Sequence, residues 1–482
     1  MFNILVSLNS FLLGLIPLWQ MFIWGRSDGM PLARFAFLYF SIQHIAFGIG
    51  GSLIAIFDQD YSYLTLYGYF PYADGLVHLQ LINLISLYAA LVGMWFIIAG
   101  RRIISTSLHR GTSSLQHDHF DAMVENHEQL LRRICYASLA FHAIIIGLQW
   151  YAVYSEISDI SRYLIQIGAK VAPATFFFLG LWWPQGHRKR WIFATYILLY
   201  GLFQLSTGGR APILYAVFMF LAGLLIVSPE WLMRPRRLVI AAVVAALIPW
   251  LAVQSEDIRL FYHSREPINL GEWTQRLAML VGQKQIGVDN SGAVLPDPET
   301  LDRTLFRFGA RVTEPTALDM VARTPEEFPY WGWSEPDWIT LGTSWLPAFF
   351  YPDLPKVEDS GVLFLRHYGW AVNPELGTSM PVTLLADSWR RFGWPGVIAV
   401  HFLLAALLTI TSTLMGRRFS VQMIVLSGAL TYILTFSYTD DILTWVTSLP
   451  RKAVAAVAYT ALISAICLLI STRRSGVRAD PS

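Results

Sequence analysis

Charge is the first shortage. Only 14% of the 482 residues are Asp, Glu, Lys or Arg, and 55% are hydrophobic. An ordinary soluble domain carries about 25% charged and about 45–50% apolar residues. A chain of this length cannot solvate its surface on so few charges, which excludes a soluble globular enzyme and a disordered chain. Cysteine is the second shortage. Cys135 and Cys467 both lie in apolar stretches, so no disulfide framework or zinc cluster can be built. Internal repeats of the inverted-transporter kind and low-complexity segments are also missing. What is present in excess is apolar and aromatic: 18 Trp, 21 Tyr and 30 Phe. The expectation is an all-α polytopic membrane protein.

A bilayer core of about 30 Å needs about 20 apolar residues per helix. Eleven stretches qualify, near 3–24, 35–57, 76–99, 134–154, 166–183, 190–207, 211–227, 238–255, 393–415, 420–438 and 452–471. The first lacks a small-residue cleavage site before a polar segment, so it is expected to stay as a helix. Basic clusters mark alternate connections: Arg26 with Arg34, Arg101-Arg102 with Arg132-Arg133, His187 to Arg190, Arg234 with Arg236-Arg237, Arg417-Arg418 and Arg473-Arg474. The opposite connections are acidic or neutral, with Arg451-Lys452 as the exception. This alternation puts the N-terminus outside and the C-terminus in the cytoplasm. It divides the chain into a membrane bundle at 1–255 (about eight helices), an outer loop domain at 256–391 and a second bundle at 392–482 (about three helices). The loop holds roughly 19 acidic against 12 basic residues.

The outer loop is dense in rings, among them Tyr330, Trp331, Trp333, Trp338, Trp345, Tyr351, Tyr368 and Trp370. Flat aromatic faces pack on the C–H faces of sugars. Trp and Tyr also collect at membrane interfaces, and the sequence leaves both roles open. Residues 301–314 read as a helix with Arg303, Arg307 and Arg311 on one face. Such a stripe either clamps a phosphate group or pairs with Asp302, Glu314 and other loop acids. The turn Gly208-Gly209-Arg210 joins two apolar helices near the outer surface. Its glycines can aim backbone N–H groups at an anion, and an arginine at that depth needs a partner, although a tight turn with a snorkelling Arg fits as well. Arg366, His367, Tyr368 and Glu375 cluster just before the ninth span, and Asp387 lies within the helix leading into it. His367, Glu375 and Asp387 are the candidate general bases. Arg259 is a further cation at the start of the loop.

The residues resemble a known family at this point. Gly208-Gly209-Arg210 is similar to the Gly-Ser-Arg-type motif of Wzy-like O-antigen and exopolysaccharide repeat-unit polymerases, membrane glycosyltransferases related to O-antigen ligases. The run Gly377-Thr378-Ser379, Asp387 and Phe392-Gly393-Trp394-Pro395-Gly396 resembles the signature that follows their large outer loop. Phe349–Lys356 resembles the Pro/aromatic/Lys segment within it, and Arg366 with Gly377 matches an Arg-x10-Gly spacing. The family more often has Glu where Asp387 stands.

The resemblance implies a location in the bacterial inner membrane with the loop in the periplasm. It implies that an oligosaccharide chain on polyprenyl pyrophosphate is the donor and a second lipid-linked repeat unit the acceptor. Arg210, Arg307 and Arg366, backed by Arg303, Arg311 and Arg259, would stabilise the leaving pyrophosphate. Gly208, Gly209 and the loop aromatics would bind substrate. No metal, no cofactor and no nucleic acid is implied; the protein partners would be the flippase and chain-length regulator of the same pathway. A ligase moving finished polysaccharide to another acceptor shares this architecture. A transporter of lipid-linked sugars is the alternative of a different class, and it would want more polar residues at mid-depth. Asp58-Gln59-Asp60 would favour a metal-dependent transferase.

Overall fold

The computed structural model describes residues 2–27, 36–41, 43–44, 48, 73–108, 128–154, 157–184, 190–206, 211–227, 330, 332–333, 335–343, 383–417, 420–436 and 442–475. Regular structure among them is all helix. The helices are α1 (Phe2–Ser27), α2 (Ala73–Leu108), α3 (Glu128–Tyr154), α4 (Asp159–Ala169), α5 (Ala174–Trp182), α6 (Arg190–Ser206), α7 (Ala211–Val227), α8 (Glu335–Thr343), α9 (Leu384–Arg417), α10 (Val421–Phe436) and α11 (Ile442–Ser475). Among the described residues six stretches are long and apolar enough to cross a membrane: Leu5–Trp24, Val77–Arg101, Glu128–Gln149, Ile160–Trp182, Leu384–Thr411 and Ile442–Ile470. This set is consistent with a helical membrane protein.

Most of the expected spans fall on described helices. Those at 211–227 and 420–438 correspond to the shorter apolar stretches Tyr215–Val227 and Val421–Thr435, and 190–207 is α6. The span at 35–57 is described only in part, and 238–255 lies outside the described residues. Three boundaries differ from expectation. The span expected at 166–183 is two helices joined by a turn at 170–173, where Pro173 precedes α5. The last span begins ten residues earlier than 452, because the helix runs through Pro450. The ninth begins at Leu384, because a second short helix is joined to it across a break at Gly393.

Large apolar side chains stay at the surface: Leu12 and Trp19 on α1, Trp95 and Phe96 on α2, Val454 and Leu469 on α11. In water such a surface would aggregate, whereas in hydrocarbon it is ordinary. Many polar side chains are buried, among them Ser7, Asn83, His142 and Thr409.

The described residues group into two compact units, each drawing on both sides of the 256–391 stretch. The first takes its described residues from Met1–Asp118, Leu305–Arg418 and Leu430–Ala456. Here α2 packs against α1 and α9. His44 ties this unit together. Asn83 Nδ2 donates to His44 Nδ1 at 3.1 Å, so Nε2 carries the proton and donates to the Phe11 carbonyl at 2.8 Å. The α2–α9 crossing depends on Gly93, where an added Cβ would press on the Phe402 backbone, 3.0 Å from its carbonyl carbon. Gly93→Ala is expected to cost about 1–3 kcal/mol through overpacking. Gly100→Ala, on the same helix with open space around it, should not destabilise. Thermal unfolding in detergent compares the two, and equal midpoints would refute the crossing.

The second unit takes its described residues from His119–Thr304, Phe419–Ala429 and Val457–Ser482. α5 is buried along its whole length. It meets α7 at a glycine pair, where a Cβ on Gly180 would lie 3.0 Å from the Gly223 Cα. Thr175 and Cys135 donate to the carbonyls of Ser138 and Phe178, stitching α3 to α5. His142 on α3 pairs with the Tyr196 hydroxyl on α6 at 2.8 Å. Arg190 closes the connection after α5 by donating to the carbonyls of Trp183 and Pro184.

Candidate functional site

The start of α9 carries what an apolar helix avoids. Asp387, Arg390 and Arg391 stand at i, i+3 and i+4, so they share one face. All three are buried, Asp387 completely. Arg390 Nε donates to Asp387 Oδ1. Arg391 Nε donates to both carboxylate oxygens at 3.1 Å. Oδ2 also accepts the Ile442 N–H at 2.8 Å. Ile442 opens α11, so the same carboxylate caps that helix and meets the positive end of its dipole. One acid therefore binds two guanidiniums and fixes a distant helix terminus. Charge taken out of water costs several kcal/mol unless it is paired in this way. Ionisable groups within membrane helices mark function more often than structure.

The break in α9 follows at once, and its cause is local. Gly393 has φ 63° and ψ −148°, a region essentially restricted to glycine. Pro395 lacks the N–H that an unbroken helix would give to the Arg391 carbonyl. Gly332 fills that vacancy: its N–H donates to the Arg391 carbonyl at 2.9 Å. Arg391 Nη1 returns a hydrogen bond to the Gly332 carbonyl at 3.0 Å. Gly332 is thus held from both sides by one residue, and it takes a positive φ of 59°.

Aromatic rings sit on this clamp. The Arg391 guanidinium lies 5.4 Å from the Trp333 ring centre, within cation–π range. Trp333 contacts Phe392 and Trp338, with centroids 5.6 and 6.0 Å apart. Tyr330 meets Trp389 edge-on at 5.6 Å, and Trp389 meets Trp394 at 6.5 Å and His78 at 6.4 Å. The Tyr330 ring covers Gly393, where a Cβ would fall 2.9 Å from the Tyr330 Cζ. Trp389 is buried, while Tyr330 and Trp338 are 52% and 60% exposed. The result is an exposed aromatic shelf on a backbone fixed to a buried ionic cluster. It can stack a flat or sugar-like ligand.

Of the residues singled out from the sequence as candidate bases or ligand-binding rings, the structure brings Asp387, Tyr330, Trp333 and Trp338 into this one cluster. Gly208, Gly209, Arg210, Arg259, Arg303, Arg307, Arg311, Trp331, Trp345, Tyr351, Arg366, His367, Tyr368, Trp370 and Glu375 lie outside the described residues, as does Asp58-Gln59-Asp60. Asp387 is the one candidate base among the described residues. It has four hydrogen bonds on its two oxygens and no exposed surface, an arrangement that anchors cations. Sequence reasoning missed Arg390 and Arg391. The signal was the Asp-x-x-Arg-Arg spacing on a helix otherwise apolar. Among the described residues no group of three or more His, Cys, Asp or Glu is gathered to hold a metal ion. Comparison with protein-family models, with curated proteins and with solved structures returns no match.

Proposed function

We propose that the chain is a membrane glycosyltransferase that joins polyprenyl-pyrophosphate-linked oligosaccharide repeat units at the outer leaflet of a bacterial inner membrane. The supporting observation is the buried Asp387–Arg390–Arg391 cluster with its aromatic shelf at the head of a membrane-length helix. The reading adds the topology expected from sequence: eleven spans, the N-terminus outside, the C-terminus inside, and residues 256–391 facing the periplasm.

The reaction is a group transfer. An acceptor sugar hydroxyl attacks the anomeric carbon of the donor chain. The bond from that carbon to the pyrophosphate oxygen breaks, and the lipid pyrophosphate leaves with the electron pair. His367 or Glu375 takes the hydroxyl proton. Arg210, Arg307 and Arg366 stabilise the charge that grows on the leaving group, a role that needs no metal. Asp387 serves as a positioning residue in this scheme, not as the base.

Single Ala replacements at Arg210, Arg307 and Arg366 test the proposal, with protein levels matched and polysaccharide length read on gels. Each is expected to cut polymer formation at least tenfold; removing one preorganised donor to an oxyanion costs about 10²–10³ in rate elsewhere. Activity should survive EDTA. Full-length polymer in all three variants, or loss of activity on chelation, would overturn the reading.

A further inference from the structure

Arg391 has more contacts than ion pairing requires. It binds Asp387, donates to the Gly332 carbonyl, accepts from the Gly332 N–H through its own carbonyl, and lies against Trp333. Interfacial Trp and Tyr need none of this, because they partition to the headgroup region on hydropathy alone. A backbone locked on both sides, with two rings left more than half exposed, is the arrangement of a preorganised binding surface. The rings at its edge are neutral and flat, which suits the C–H faces of a saccharide.

We propose that Arg391 is a positioning residue that holds Gly332 and Trp333 beside the α9 break in a saccharide-stacking shelf, with Tyr330 and Trp338 as the contacting rings. The role in turnover rests on the glycosyltransferase reading above; the saccharide-binding role does not. Lys at position 391 would keep the charge but lose the planar fork that reaches Asp387 and Gly332 together. Gly332→Ala would strain a positive φ while meeting no atom within 4 Å, so it loosens the clamp without crowding it.

Full-length protein in nanodiscs is passed over an array of bacterial surface glycans. Wild type is expected to bind, and Arg391→Lys, Gly332→Ala and Trp338→Ala each to bind at least tenfold more weakly. In turnover with lipid-linked repeat units, Arg391→Lys should raise KM at least tenfold and leave kcat within about twofold. Its effect combined with Trp338→Ala should fall short of the product of the two, since one acts through the other. If Arg391→Lys does not fold, Gly332→Ala still tests the clamp and the exposed Trp338→Ala the ring.

Three results would overturn the inference. One is a wild type that binds no glycan. Another is variants that bind as wild type does, which would assign the rings to membrane anchoring. The third is an Arg391→Lys variant that loses kcat at unchanged KM. Glycan binding lost in the variants of a protein that polymerises nothing would refute the glycosyltransferase reading and leave the shelf standing.

Discussion

Asp387→Ala is expected to destabilise the protein by about 3–5 kcal/mol, the usual cost of removing one partner from a buried ionic cluster. Two guanidiniums that share one carboxylate would then face each other without it, and the Ile442 N–H at the start of α11 would lose its acceptor. Asp387→Asn keeps the shape and one acceptor oxygen. Its amide group, however, would point a donor at the Arg391 and Ile442 donors, so it should fall between wild type and Ala. Thermal unfolding in detergent, followed alongside polymer formation, separates an anchor from a general base. For an anchor, midpoint and activity fall together in the order wild type, Asn, Ala. A base would lose activity in the Asn variant at an unchanged midpoint, and that result would return Asp387 to proton transfer.

The parts of this architecture that could be read from sequence are those set by local chemistry. Apolar length marked α1, α2 and α3 because a bilayer asks for about 20 residues of one kind. The same rule misjudged the start of α9. Asp387, Arg390 and Arg391 depress the apolar average, so the helix looks as though it begins at Gly393, although both arginines are paired with the one carboxylate inside it. Pro395 has no N–H to give an unbroken helix, but the local sequence does not say what replaces that donor. The donor that replaces the missing proline N–H comes from Gly332, some sixty residues earlier, and no periodicity encodes that contact. Tyr330 and Trp333 were legible as candidate ligand-binding rings by type alone. That Trp333 would lie against Arg391 was not, because Arg390 and Arg391 are adjacent and local sequence does not separate them.

Gly393→Ala tests that repaired break directly, and its expected cost is on the order of 2–4 kcal/mol from two separable causes. The first is the backbone. At φ 63° and ψ −148° any side chain is strained, whatever surrounds it. The second is steric. The new Cβ would meet the Tyr330 ring at 2.9, 3.1 and 3.2 Å, and that ring rests edge-on against buried Trp389, which limits how far it can withdraw. Gly332→Ala isolates the first kind of cost, because its φ is also positive but its surroundings are open; about 1 kcal/mol is expected there. Tyr330→Ala isolates the second. In that background Gly393→Ala should lose the steric part and keep the backbone part, so the unfolding midpoint should drop less than it does with the ring present. An identical drop in both backgrounds would show that Tyr330 does not bear on Gly393, and the shelf would then be seated by the Gly332–Arg391 clamp alone.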